Sequence, residues 1–118
     1  MLAKDSVTVL WKFKVKGHRI VETKIYNSGI LSYTIGYDHR NRITKTMTYR
    51  KDGTIVSLYV LHIYSDAWND QKSEQIEYWP NGKKASHSIC DRGKWLETKY
   101  WNQEGAEITE KEFYVIWK

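Results

Sequence analysis

The feature that most constrains the fold is a regular spacing of aromatic residues and glycines. An aromatic side chain stands three or four residues before a glycine at four places, Tyr26/Gly29, Tyr49/Gly53, Tyr78/Gly82 and Trp101/Gly105. Successive aromatic positions in this series are 23, 29 and 23 residues apart. Glycine supplies the positive φ that a tight hairpin turn needs, and a recurring spacing indicates repeated structural units. The chain is therefore predicted to be built of repeated β-hairpins.

Between these turns, apolar and polar residues alternate with a period of two. In residues 9–16, the odd positions Val9, Trp11, Phe13 and Val15 are apolar or aromatic and lysines stand at positions 12, 14 and 16, which is typical of a strand with one solvated face. Similar β-rich runs occupy residues 20–26, 31–37, 43–49, 55–64, 74–79, 84–89, 95–101 and 112–117. Since a single hairpin is only marginally stable in water, the hairpins are predicted to share one sheet.

The length of 118 residues is typical of one domain, so we expect an all-β antiparallel meander of about four hairpin repeats over residues 1–118. Residues 67–75 and 106–113 contain helix formers but too few spaced apolar positions to predict a helix, and the C-terminal segment is left as a strand or a short helix. The N-terminal segment alternates and no run reaches the ~20 apolar residues of a membrane span, which favours a cytoplasmic protein.

Two segments carry a family resemblance, Tyr-Trp-Pro-Asn-Gly-Lys-Lys at residues 78–84 and Tyr-Trp-Asn-Gln-Glu-Gly-Ala-Glu at residues 100–107. They resemble MORN repeats, and more closely the bacterial variant with the pattern Tyr-Tyr/Trp-x-Asn-Gly-Lys. The resemblance covers roughly residues 20–110 and is strongest over residues 76–108. It implies a twisted, elongated strip of hairpins that acts by binding. Short bacterial chains of this variant are similar to antitoxins or immunity proteins that neutralise a partner toxin.

Residues that could form a catalytic or metal site are scattered along the sequence. His18, His39, His62 and His87 have no second ligand at a metal-like spacing, and Cys90 has no partner cysteine. A hydrolase could use His39, His62, Ser65 and Asp66, but turns and solvated strand faces explain these residues more simply. We therefore expect no catalytic residue, no metal and no cofactor.

The second repeat departs from the family pattern because it is stretched to 29 residues and lacks the usual glycine before its second strand. Its extra residues place Trp68 between two acids, and a long loop on a rigid scaffold is where binding residues tend to lie. The predicted partner-binding residues are Asp66, Trp68, Asn69, Asp70, Glu74 and Glu77. In this hypothesis Trp68 enters a pocket of the partner while the acids meet basic groups. The alternative is that Trp68 folds back over the sheet edge.

The charge is unevenly distributed along the chain. Residues 1–60 hold 11 Lys or Arg against 4 Asp or Glu, a net charge of +7, while residues 61–118 hold 8 against 10, a net charge of −2. A basic stretch with interleaved tyrosines could bind phosphate and stack bases; its members are Arg40, Arg42, Lys45, Arg50 and Lys51.

The leading hypothesis is an immunity or antitoxin protein that binds a cognate bacterial toxin domain and occludes its active site, without membrane insertion. The alternative is a MORN-type interaction module. It would use the basic N-terminal half to bind acidic protein, anionic lipid or, less readily, single-stranded nucleic acid.

Overall fold

The computed structural model describes residues 8–117, which form one antiparallel sheet and one short helix. The start of the N-terminal segment, residues 1–7, and residue 118 lie outside the described residues, so the predicted domain is described without its two ends. The elements are β1 Val9–Lys16, β2 Arg19–Asn27, β3 Ile30–Tyr37, β4 Ile43–Tyr49, β5 Ile55–Ile63, β6 Gln71–Tyr78, β7 Lys84–Asp91, β8 Lys94–Trp101, β9 Glu107–Ile108 and α1 Glu110–Ile116.

The nine strands follow one another across the sheet in chain order, from β1 at one edge to β9 at the other. Every neighbouring pair is antiparallel and joined by a hairpin connection, and the sheet does not close on itself. The predicted all-β antiparallel hairpin meander is therefore confirmed. The sheet is a thin layer, because the described chain measures 48 × 43 × 21 Å.

The connections divide between two ends of the sheet because successive strands run in opposite directions. The repeat-turn end holds residues 28–29, 50–54, 79–83 and 102–106, and the loop end holds residues 17–18, 38–42, 64–70 and 92–93. Three repeat turns share one closure, in which the first residue donates its N–H to the carbonyl four residues on: Arg50 to Thr54, Trp79 to Lys83 and Asn102 to Ala106. All four turn glycines named in the prediction have positive φ.

The last repeat holds the only buried apolar cluster among the described residues. Trp79, Ala85 and Phe113 are at most 3% exposed, and Tyr100 and Trp117 pack against them. Phe113 belongs to α1, which lies over β8 and joins this cluster through aromatic contacts. We call the side of the sheet under α1 the helix face and the other side the opposite face.

One expectation about helices and strands needs correction. The run at residues 112–117 is not a strand but most of α1, whose Thr109 hydroxyl accepts a hydrogen bond from the Glu112 N–H while the Glu112 carboxylate accepts one from the Thr109 N–H. This capping box, together with burial of Phe113, favours the helix. Residues 67–75 form no helix, because they end a loop and begin β6. Among the described residues, no helix has the length and apolar character needed to cross a bilayer.

Candidate functional site

The stretched second repeat forms a closed loop of residues 64–70 between β5 and β6, here called the 64–70 loop. β5 and β6 pair without irregularity as far as Ile63 and Gln71, so the extra residues project entirely beyond the sheet. The Tyr64 N–H donates to the Asp70 carbonyl at 3.0 Å, and the Asp70 N–H donates to the Ala67 carbonyl at 3.2 Å. The insertion is thus a structured turn that leaves the sheet register intact.

One side of the 64–70 loop is held to the neighbouring β3–β4 turn through Asp66. The Asp66 carboxylate accepts hydrogen bonds from the guanidinium groups of Arg40 and Arg42, the latter at 2.9 Å. Arg42 also donates its Nε–H to Asp38 at 2.8 Å. The Arg40 hydrogen bond is the largest cause of a lowered pKa of the Asp66 carboxyl; burial opposes it, and the charges of both arginines lower the pKa further. Asp66 is therefore ionised and already paired within the chain at neutral pH.

The other side of the 64–70 loop is held to the β7–β8 turn through Asp70. Its carboxylate accepts hydrogen bonds from the Ser65 hydroxyl at 2.6 Å and from Arg92 Nε at 2.9 Å, and these bonds lower the pKa of Asp70 in that order. The Arg92 guanidinium also lies 4.3 Å from the centre of the Tyr64 ring, within range of a cation–π interaction. Both acids that flank Trp68 therefore support the loop.

Trp68 is the most exposed large apolar side chain in the described part of the chain, with 93% of its surface accessible. The alternative, that Trp68 folds back over the sheet edge, is wrong, because an indole packed against the sheet would be shielded from solvent. An indole combines a large apolar surface with an N–H donor, which suits it to fill a partner's pocket. Asp66 and Asp70 hold the loop from both sides, so the loop keeps the Trp68 ring away from the sheet.

The six residues predicted to bind a partner do not form one surface. Asp66, Trp68, Asn69 and Asp70 lie together at the loop end, but Glu74 and Glu77 lie within β6 on different faces of the sheet. Side chains alternate along a strand, so a separation of three residues reverses the face. Glu77 accepts a hydrogen bond from the Ser86 hydroxyl on the helix face. The structure therefore places these two acids on opposite faces of β6 and outside the 64–70 loop that carries Trp68.

Glu74 lies on the opposite face between two histidines of the adjacent strands. His62 Nε2 lies 2.8 Å from one carboxylate oxygen and His87 Nε2 lies 3.1 Å from the other. The His62 hydrogen bond is the largest cause of a lowered pKa of Glu74. Burial opposes this effect, and the His87 hydrogen bond lowers the pKa further. Within residues 8–117, no group of three His, Cys, Asp or Glu has an arrangement that could hold a metal ion.

The basic stretch is also divided by the structure. Arg40 and Arg42 bind Asp66 at the loop end, whereas Arg50 lies at the repeat-turn end and donates to the carbonyls of Ile55 and Tyr78 at 2.8 and 2.7 Å. At 3.3 Å per residue, Arg42 and Arg50 are roughly 25 Å apart at the two ends of β4.

The two lysines of the stretch occupy separate places as well. Lys45 is paired with Val60 inside the sheet, and Lys51 lies in a repeat turn. The cations of this stretch therefore do not form one continuous patch, and its three arginines already have partners within the chain.

The role of Arg92 is not predicted from the sequence. The contact of Arg92 with the 64–70 loop could be predicted only from the hairpin register. Because Lys72 pairs with Asp91, the residues before β6 lie beside the turn after β7. Two exposed apolar residues, Trp95 and Leu96, follow that turn at 71% and 61% exposure and extend the apolar surface of the loop end. Nothing in the alternation of β8 distinguishes them from core-facing strand residues.

Comparison of the chain with protein-family models, curated proteins and solved structures finds no match in any of the three. The resemblance to MORN repeats therefore depends on the repeat residues themselves.

Proposed function

We propose that this protein is a cytoplasmic immunity or antitoxin protein that binds a bacterial toxin domain and occludes its active site. The observation that carries the proposal is the 93% exposure of Trp68 on a loop held from two sides. Moving a large apolar ring from water into a partner's pocket is favourable. A loop that is already ordered before binding loses little further conformational entropy when it docks.

The contact is proposed to centre on Trp68, with Trp95 and Leu96 as further apolar surface at the loop end. Asp66 and Asp70 act as positioning residues because their charges are paired with Arg40, Arg42 and Arg92. This differs from a simple acidic mimic of nucleic acid, in which unpaired carboxylates would meet the cations of the toxin. Occlusion by a shaped, mainly apolar protrusion requires no catalytic group on this chain.

A second candidate function is a MORN-type interaction module that binds an acidic partner through the N-terminal half. It is supported by the net charge of +7 over residues 1–60. It is weakened by the pairing of Arg40, Arg42 and Arg50 inside the chain, since an arginine that leaves Asp66 must first give up a charge-assisted hydrogen bond.

The experiment that tests the proposal begins with the product of the reading frame beside the gene. It is expressed in bacteria with and without this chain, and growth and the affinity of the purified pair are measured. Co-expression is expected to restore growth, and Trp68→Ala is expected to cost the complex about 2 kcal/mol or more, as for a central interface anchor.

The matched control is Tyr33→Ala, which removes a ring that is 41% exposed on β3, away from the loop end. It is expected to leave the affinity within a few tenths of a kcal/mol of the unsubstituted pair. An unfolding curve for each variant separates lost contact from lost fold. Equal loss of affinity for both variants, or no complex with the neighbouring product, would count against the proposal.

A further inference from the structure

We infer that the outer edge of β1 is a docking site for an extended strand of a partner protein in which apolar and acidic residues alternate. This site is separate from the 64–70 loop and stands or falls without the immunity function. It follows from three properties of β1: an open backbone edge, an apolar stripe on one face and lysines on the other.

The first property is the free backbone of the edge strand. Within residues 8–117, β1 pairs with β2 alone. The Ser28 N–H donates to the Thr8 carbonyl at 2.6 Å, and hydrogen-bonded and non-hydrogen-bonded pairs alternate along an antiparallel ladder. Val9, Trp11 and Phe13 are therefore the residues whose N–H and C=O groups point away from β2, toward an added strand.

The second property is the apolar stripe. Val9, Trp11, Phe13 and Val15 alternate along β1 and are 52%, 53%, 52% and 61% exposed. They lie on the helix face, since Trp11 pairs with Ile25 and Ile25 with Tyr33 in a row that leads across the sheet to Tyr100 under α1. At about 4.8 Å per strand, α1 is roughly 34 Å away over β8 and leaves this stripe uncovered.

The third property is the charge of the opposite face of β1. Lys12, Lys14 and Lys16 follow Leu10 on this face, and Glu22, the one acid of β2, is paired with Lys14. A second copy of β1 would bring like charges together if it docked antiparallel here. A strand with Asp or Glu at alternate positions would pair each acid with a lysine while its apolar residues extend the stripe.

The two edges of the sheet are treated differently by the sequence. At the far edge β9 pairs only with Tyr100 and Trp101, so residues 94–99 of β8 also form an open edge, but one whose Lys94, Glu97 and Lys99 carry mixed charge. β1 has eight residues and one apolar face. Lysines alone would discourage edge association, but they would not require an exposed Trp-Phe-Val stripe on the other face. The combination favours a specific, acidic partner strand over simple protection.

The test uses the isotopically labelled full-length chain and a synthetic peptide of alternating Glu and Val, matched in length to β1. Amide exchange is followed residue by residue as the peptide is added. Binding is expected to protect the N–H groups of Trp11 and Phe13, to leave the Trp68 N–H unchanged, and to weaken as salt rises. A peptide of the same composition with all Glu before all Val is expected to bind at least about tenfold more weakly.

Two variants separate backbone pairing and charge from non-specific attraction. Lys14→Gln with Lys16→Gln should weaken peptide binding about tenfold, whereas the matched pair Lys84→Gln with Lys94→Gln on β7 and β8 should not. Phe13→Pro removes one outward N–H of β1, so the affinity of this variant for the peptide should fall. Unchanged amide signals of β7 and β8 would show that the variant is folded.

Three results would overturn the inference. The first is equal binding of the alternating and blocked peptides, and the second is equal loss in the two lysine pairs. The third is protection of the Trp11 and Phe13 amides before any peptide is added, with or without dimerisation, because the edge would then be occupied by the chain itself or by a second copy.

Discussion

Arg50 and Trp79 hold equivalent positions in successive repeats and make equivalent contacts. Each begins a repeat turn and donates a side-chain N–H to the carbonyl of the residue that precedes the next repeat turn: Arg50 to Tyr78 at 2.7 Å and Trp79 Nε1 to Trp101 at 3.0 Å. These bonds join neighbouring hairpins at the repeat-turn end, in addition to the strand ladder. The repeat is thus a structural unit linked to its neighbour by a side chain of either type.

Replacing Trp79 by phenylalanine should destabilise the protein by about 2 to 4 kcal/mol, because the Trp101 carbonyl loses its donor and the buried cluster loses volume. Trp79 is only 3% exposed, so the change cannot be compensated by solvent. Urea unfolding gives the free energy directly. The matched control Trp95→Phe, at a residue 71% exposed, should change it by less than about 0.5 kcal/mol. Similar losses in both variants would contradict the assignment of the core to the last repeat.

Adding a methyl group at Gly93 should loosen the contact between the 64–70 loop and the β7–β8 turn. A Cβ there would lie 2.7 Å from Asn69 Nδ2, and the φ of Gly93 is +81°. Gly93→Ala should therefore cost about 1 to 3 kcal/mol from contact and backbone strain together.

The double variant with Asn69→Gly distinguishes the two causes of that loss. Glycine at position 69 accepts the positive φ of 63° found there and removes the clashing amide. Part of the stability should return in the double variant, measured as a coupling energy in a double-mutant cycle. Strict additivity of the two substitutions would show that Asn69 does not contact the turn.

The His62–Glu74–His87 cluster should make stability depend on pH on the acid side. The lowered pKa of Glu74, caused first by the His62 hydrogen bond, means that the folded state holds this proton less tightly than the unfolded state. Its contribution is present above the unfolded pKa of about 4.5 and is lost as the pH falls through the lower folded value.

Glu74→Gln should flatten the corresponding part of the curve of unfolding free energy against pH as the pH falls below about 4.5. A useful comparison is Glu97→Gln on β8, an exposed acid paired only with Lys99. That variant should retain the slope due to Glu74. If Glu74→Gln left the acid-side slope unchanged, the two histidine contacts would not persist in solution.

The sequence was sufficient to predict the sheet because its signals are local. Alternation along β1 and the turn at Asn81-Gly82 depend on neighbouring residues, and the structure confirms eight of the predicted β-runs within one or a few residues. The ion pairs of the candidate site could not be predicted in this way. Asp70 meets Arg92 and Asp66 meets Arg40 only after the register of two separate hairpins is set.

The C-terminal helix shows a different limit of sequence interpretation. The unbroken run of aromatic and β-branched residues after Glu112 suggests a strand, but Thr109 and Glu112 match the spacing of a capping box. What decides the outcome is Phe113, which is 1% exposed and fills the space beside Trp79 and Tyr100. This space exists only when the last two hairpins are in place.

Removal of the cap should therefore weaken α1 without unfolding the sheet. Thr109→Ala takes away the hydroxyl that accepts the Glu112 N–H at 3.2 Å and is expected to cost about 1 kcal/mol. Amide exchange should quicken in residues 110–116 and remain unchanged in β1 to β5, since among the described residues the main strand contacts of α1 are with β8. Thr109→Ser keeps the acceptor and should retain nearly all of the stability. Faster exchange across all strands in the alanine variant would mean that the helix supports the whole meander and not just its last repeat.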